Sequence, residues 1–351
     1  MSKLLRIAAS AAGVAAAGTA AGAAVSVVRR RRVIARRGAG EAISFGSLHS
    51  PALSVIADDG TPLHVEIDPM EKSGRTDLTV VFVHGYALTL DCWHFQRAGY
   101  RGLVRAVYYD QRSHGRSGRS SQGHATIEQL GRDLERVIDA AAPEGPVVLV
   151  GHSMGGMSII ALAEERPELF GDRVVGVGLI STTAGGLDPH RILAPALPST
   201  LGSTLALRVV ATLARGHRAI DGLRRFTKAI ATVVTDEFAF GDDVPESYVT
   251  FVDSMLSATP FEVIAEFFPS FGSLDKFETV HALERVPVSI ICGTDDKLTS
   301  IGHSRKLHKK IPGSRLLECD GAGHMVILER HEQVNAEIDQ LLAAASELVR
   351  R

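Results

Sequence analysis

The sequence predicts an α/β protein: a mostly parallel eight-stranded sheet with helices on both faces and a helical segment inserted after the sixth strand. Three observations lead there. Short apolar, β-branched runs recur along the chain, separated by helical patterns of the kind that parallel pairing needs as crossovers. One run, Val147–Val150, leads directly into Gly151-His152-Ser153-Met154-Gly155 and then a helical pattern. About a hundred residues without a clear strand, Thr182 to Arg285, separate the sixth run from the seventh.

The strand runs are Leu53–Ala57, Leu63–Ile67, Leu78–Val83, Arg105–Tyr109, Val147–Val150, Val174–Ile180, Val288–Ile291 and Arg315–Glu318. The first two flank Asp58-Asp59-Gly60-Thr61-Pro62, whose residues favour a tight turn, so they form a hairpin. Between later runs, Thr126–Ala141 reads as a helix. Thr126 and Gln129 have capping-box spacing, and Ile127, Leu130, Leu134, Val137 and Ile138 share one face. Glu332–Val349 repeats that design with Val334, Ile338, Leu341, Leu342 and Leu348. In the long insertion, Leu201–Arg215 and Ile220–Thr235 read as helices, with shorter ones at Phe251–Met255 and Phe261–Phe268. Nine of the thirteen phenylalanines fall there. Most of them pack the insertion together; some are expected to line an apolar cavity facing Ser153.

The bulk numbers exclude several classes. A chain of 351 residues with 45% hydrophobic and 22% charged residues is an ordinary globular composition. The net charge of −2 hides an asymmetry. Residues 1–37 carry eight basic residues and no acid, which leaves 30 basic against 40 acidic residues in the remainder. An acidic body argues against nucleic acid as the partner. Cys92, Cys292 and Cys319 are odd in number and widely spaced, so they read as core thiols. No metal-ligand spacing and no phosphate-cradling glycine loop is apparent, and neither metal nor cofactor is implied.

The first 37 residues form a unit of their own. Ile7 to Val28 contains no charge and is long enough to span a bilayer as a helix, though it is mostly alanine and glycine. Arg29, Arg30, Arg31, Arg32, Arg36 and Arg37 follow it, against Lys3 and Arg6 before it. By the positive-inside rule this is a membrane anchor that keeps the following domain cytoplasmic. An export signal is the competing reading, and a compositional tail the third. The expected organisation is an anchor at 1–37, a linker at 38–52, a first core segment at 53–181, a helical insertion at 182–285 and a second core segment at 286–351.

The chemistry centres on Ser153. A strand, a sharp turn and a helix push its hydroxyl out at the end of the sheet, with the Met154 N–H at the helix start beside it. A serine hydroxyl needs an adjacent base. His324 is the best candidate, in a glycine-rich loop between the last strand and the last helix. His152 instead packs beneath the turn. The base needs a carboxylate to fix its tautomer, and Asp295, Asp296 and Asp188 are the candidates.

Here the chain resembles the α/β-hydrolase family over about residues 53–348. Val81-Phe82-Val83-His84-Gly85-Tyr86 is similar to the family's oxyanion strand and loop. Asp110-Gln111-Arg112-Ser113-His114-Gly115-Arg116-Ser117 resembles its Asp-x-Arg-Gly-x-Gly-x-Ser loop, with Ser113 in place of glycine. Gly293-Thr294-Asp295-Asp296 and Gly321-Ala322-Gly323-His324 resemble its acid and histidine loops, in the family's order. The resemblance implies that the insertion is a cap over the site. It selects Asp296 as the acid and the N–H groups of Tyr86 and Met154 as the oxyanion hole. His84, Gly85, Trp93, Phe267 and Phe268 are the expected substrate-binding residues, with Tyr86 and His94 shaping the mouth. Asp110, Arg112 and His114 are expected to be structural. The implied activity is a serine hydrolase acting on apolar acyl esters, esterase- or lipase-like. Thioesterase, C–C bond hydrolase and cofactor-free haloperoxidase or perhydrolase chemistry share these motifs. A non-catalytic small-ligand receptor is the rival from another class.

Overall fold

The computed structural model describes residues 26, 28–37, 44–71, 77–121, 123–187, 232 and 235–350. Eight strands form one sheet: β1 (Ala52–Ile56), β2 (Pro62–Asp68), β3 (Thr79–Val83), β4 (Arg105–Tyr109), β5 (Val147–His152), β6 (Val174–Ile180), β7 (Val288–Gly293) and β8 (Arg315–Cys319). The helices are α1 (His94–Tyr100), α2 (Ile127–Ala141), α3 (Met154–Glu165), α4 (Glu246–Ala258), α5 (Phe261–Ser273), α6 (Ile301–Lys310), α7 (Val326–Glu329) and α8 (His331–Arg350). The spatial order is β1-β2-β4-β3-β5-β6-β7-β8. β1 and β2 form the hairpin and β2 pairs antiparallel with β4; the remaining pairs are parallel. This is the mostly parallel eight-stranded sheet that the sequence predicts.

The central strands are buried on both faces, which is why they read as continuous apolar runs. Alternate residues feed two cores. Val80 and Phe82 join Trp93, Tyr108, Ile338 and Leu341 on one face. Val81 and Val83 join Leu134, Val137, Ile159 and Leu162 on the other. A third cluster places Val263, Phe267 and Phe271, one stripe along α5, against Ile127, Leu130, Met154 and Met157. It fastens the insertion to the helix that follows Ser153.

Local rules hold where they can be checked. The Thr126 hydroxyl accepts from the Gln129 N–H at 3.2 Å and caps α2, while the Gln129 amide reaches Asp58. Asp110 accepts from the N–H groups of Leu90 and Arg116, and the fully buried Arg112 pairs with Asp133 and Asp59. All three cysteines are free and buried.

The N-terminus requires a correction. Among the described residues, no helix is long and apolar enough to cross a membrane. This overturns the expected cell-membrane localisation with a cytoplasmic catalytic domain. Residues 7–25 of the uncharged run lie outside the described residues, as do the predicted helix Leu201–Arg215, nearly all of Ile220–Thr235, and Asp188. The basic cluster has another engagement. Residues 28–36 are helical, and Ile34 is buried in the first core. Arg30 and Arg37 both pair with the buried carboxylate of Asp236, and Arg37 also meets Asp243. These two arginines grip the protein's own acids.

Candidate active site

The site is built at the carboxyl ends of β5, β7 and β8. At the end of β5 the chain must turn within a few residues into α3. Ser153 takes φ +53° and ψ −119° there, a strained conformation for a residue with a Cβ. Neighbouring bonds hold it. The Ser153 N–H donates to the Ile180 carbonyl at 2.9 Å, and the Thr182 hydroxyl donates to the Ser153 carbonyl at 2.7 Å. Close approach explains the glycine two residues on: a Cβ on Gly155 would lie 2.0 Å from the Val83 carbonyl oxygen.

The loop after β8 carries His324 to this turn. Its Nε2 lies 3.0 Å from the Ser153 Oγ, and its Nδ1 lies 2.9 Å from the Asp296 carboxylate. Ionised Asp296 only accepts, so Nδ1 carries the proton and Nε2 is left to accept from the serine hydroxyl. Asp296, in the loop after β7, also accepts from the N–H groups of Leu298 and Thr299 and from the Thr299 hydroxyl. Burial raises its pKa, but the interaction with His324 and these donors outweigh burial and hold it below the ordinary carboxylate value. Asp295 is exposed, and its N–H donates to the Ala322 carbonyl. Ser153 is thus brought together with His324, 171 positions further on, and with Asp296, 28 positions before that histidine, while Asp295 is not.

The other expected residues divide. Met154 N–H lies in the first turn of α3, where it has no acceptor within the helix. The ring of Tyr86 packs edge-on against Phe271 with centroids 4.9 Å apart, and its hydroxyl donates to the Ile264 carbonyl. Phe267 is buried beside it and Phe268 half-buried. His84 is fully buried; its Nδ1 donates to the Gly85 carbonyl and its Nε2 accepts from the Gln111 N–H. Burial lowers its pKa to about 4, so the ring is neutral. Gly85 lies against Ser153 and His152. Trp93 is fully buried against Phe82, on the core side of the sheet's end, and His94 packs on Phe45.

Two contributions escaped the sequence reading. Thr299 bonds Asp296 from three residues on, and Asp-x-x-Thr spacing after a strand is a readable signal for such a turn. Glu329 accepts from the N–H groups of Gly323, Gly241 and Asp242, tying the histidine loop to the insertion through backbone atoms that no side-chain motif reveals.

Comparisons agree with this architecture. The chain is similar over its fold to an esterase from Thermogutta terrifontis, with 22% identity, 85% of this chain and 100% of that one covered, and a TM-score of 0.67. It is similar to the enol-lactonase from Burkholderia xenovorans LB400, with 25% identity, 84% and 100% covered, and a TM-score of 0.66. An uncharacterised protein of Mycobacterium tuberculosis is 25% identical over 247 residues, 70% of this chain and 69% of that one. The model of the "Alpha/beta hydrolase family" matches residues 80–337. With most of its length inside that match, this chain belongs to the alpha/beta hydrolase family and is a hydrolase.

Proposed function

We propose that the protein is a serine hydrolase that cleaves carboxylic esters through an acyl-enzyme. The observation that carries this reading is the unbroken chain of hydrogen bonds from Ser153 Oγ through His324 to Asp296. Ser153 Oγ attacks the ester carbonyl while His324 Nε2 takes its proton. Asp296 stabilises the imidazolium that forms. The N–H groups of Met154 and Tyr86 hold the developing oxyanion, each contributing about 3 kcal/mol. His324 then returns the proton to the leaving alcohol, and water repeats the sequence to free the acid. Residues 182–285 act as a cap, and Tyr86, Phe267 and Phe271 offer an apolar surface for the acyl group. The esterase and enol-lactonase likenesses support an ester bond as the target.

A fluorophosphonate probe tests the nucleophile. Wild-type protein reacts covalently and Ser153→Ala does not, with ester turnover falling by about 10⁶-fold. Labelling of the variant, or more than about a tenth of wild-type turnover, sinks the assignment. A chromogenic ester series from acetate to hexanoate tests the apolar surface. The ratio kcat/KM rises along it by up to about fourfold per methylene, the equivalent of about 0.8 kcal/mol; a falling series argues against the acyl subsite.

A further inference from the structure

We propose that His152 is a positioning residue that sets the base and the oxyanion loop from opposite edges of one ring. The inference rests on the serine hydrolase reading above.

The Nε2–H of His152 donates to the backbone carbonyl of His324 at 2.9 Å. Donation from Nε2 leaves Nδ1 as an unprotonated acceptor. That atom is buried and has no hydrogen-bond partner among the described residues. It faces Gly85: a Cβ there would lie 2.8 Å from Nδ1 and 3.3 Å from Cε1. The ring therefore fills the space between the residue before Tyr86 and the backbone of His324. Trp93 closes the remaining side edge-on, with centroids 6.4 Å apart.

The arrangement has a mechanical consequence. Within the histidine loop, one backbone group each of Gly323, His324 and Met325 is held from outside the loop. The Gly323 N–H donates to Glu329 and the Met325 N–H to the Ala239 carbonyl. The third, the His324 carbonyl, is held by the residue immediately before Ser153. One peptide bond and one hydrogen bond thus connect nucleophile and base, besides the bond they make directly. Ser153 itself is fixed to β6 through the Ile180 carbonyl. A shift of His152 moves His324 and Gly85 together.

The ring suits that task because it stays neutral. Burial, and then the neighbouring His324 at a centroid distance of 4.9 Å, lower its pKa to about 3. His324 has Asp296 beside it and His152 has no carboxylate partner, so the catalytic proton goes to His324.

Two variants test the proposal. His152→Phe fills the space without a donor; His152→Gln places an amide N–H near the Nε2 position. The expected result for His152→Phe is a kcat lower by about 100-fold, the scale of a misplaced catalytic group, with KM within about twofold and slower fluorophosphonate labelling. His152→Gln returns kcat to within about fivefold of wild type. A His152→Phe protein with kcat within about threefold of wild type overturns the proposal. So does a folded His152→Gln protein that loses as much kcat as His152→Phe. If His152→Phe fails to fold, His152→Gln decides alone: kcat within about fivefold of wild type supports the proposal, and a larger loss in the folded protein overturns it. Failure of the serine reading is a separate result, since wild-type protein would then resist the probe.

Discussion

The carbonyl oxygen of Val83 occupies the space that a side chain on Gly155 would need, only 2.0 Å from an ideal Cβ. The turn after β5 therefore depends on direct contact between the start of α3 and the end of β3. Gly155→Ala forces one of them away, and with it the backbone of Ser153. We expect little folded protein, or folded protein with turnover reduced by more than about 100-fold. Circular dichroism and ester turnover check this; wild-type behaviour in both would show that the turn can relax.

Asp296→Asn should be far more damaging than Asp295→Asn. The buried Asp296 holds the Nδ1 proton of His324, and an amide there can present its N–H instead and leave the base in the wrong tautomer. The expected loss in kcat is about 10⁴-fold, against less than about threefold for the exposed Asp295. Steady-state kinetics of the two variants decide; the reverse order would move the acid to Asp295.

Stability should fall on mild acidification. Burial lowers the pKa values of His84, His114 and His152 to about 4, about 3 and about 3, from 6.5. Unfolding returns these groups to water. From pH 6.5 down to about 4 the unfolded chain binds protons that the folded chain does not, so stability decreases as pH falls through that window. Each group removes about 2 kcal/mol between pH 7 and pH 5. Urea unfolding at the two pH values measures the difference, and equal stabilities would contradict the neutral, buried state of these rings.

Ile34→Ala should destabilise the protein by about 2–4 kcal/mol, because Ile34 is buried in the first core. The active-site residues are not touched. A thermal melt reads the effect, and a loss under about 0.5 kcal/mol would mean that the N-terminal helix adds nothing to the core.

The parts legible in the sequence are those where one side-chain pattern carries one structural role. β3, β5, β6 and β7 are buried throughout and read as unbroken apolar runs. β5 nevertheless extends to His152, beyond Val150, because Gly151 and His152 pair as strand without looking like one. α1 leaves no apolar period in the sequence: two of its three buried residues, Gln96 and Arg97, are polar, and Arg97 is buried on Glu66 and Asp68. α6 has only Ser304 and Leu307 buried, too few for a visible period. α5 continues past Pro269 to Ser273, where the sequence suggested a stop. At the site, Ser153 and His324 were legible through their glycine-rich turns, and the spacing seen in related chains picked Asp296. The backbone bonds around His324 were not legible, because carbonyls and N–H groups leave no trace in residue identity. The arginines after Val28 show the opposite failure, since their charge was plain but not the acid that receives it.

The clasp between the N-terminal helix and Asp236 joins residues 206 and 199 positions apart. A ribosome adding about 5–20 residues per second needs roughly 10–40 seconds to cover that distance. For that interval the nascent helix carries Arg30 and Arg37 without the acid that receives them. When Asp236 emerges, the segment that follows it also brings the Ala239 carbonyl, which must wait for the Met325 N–H. This early-synthesised helix thus completes its clasp late in synthesis, on a strap that later receives the histidine loop.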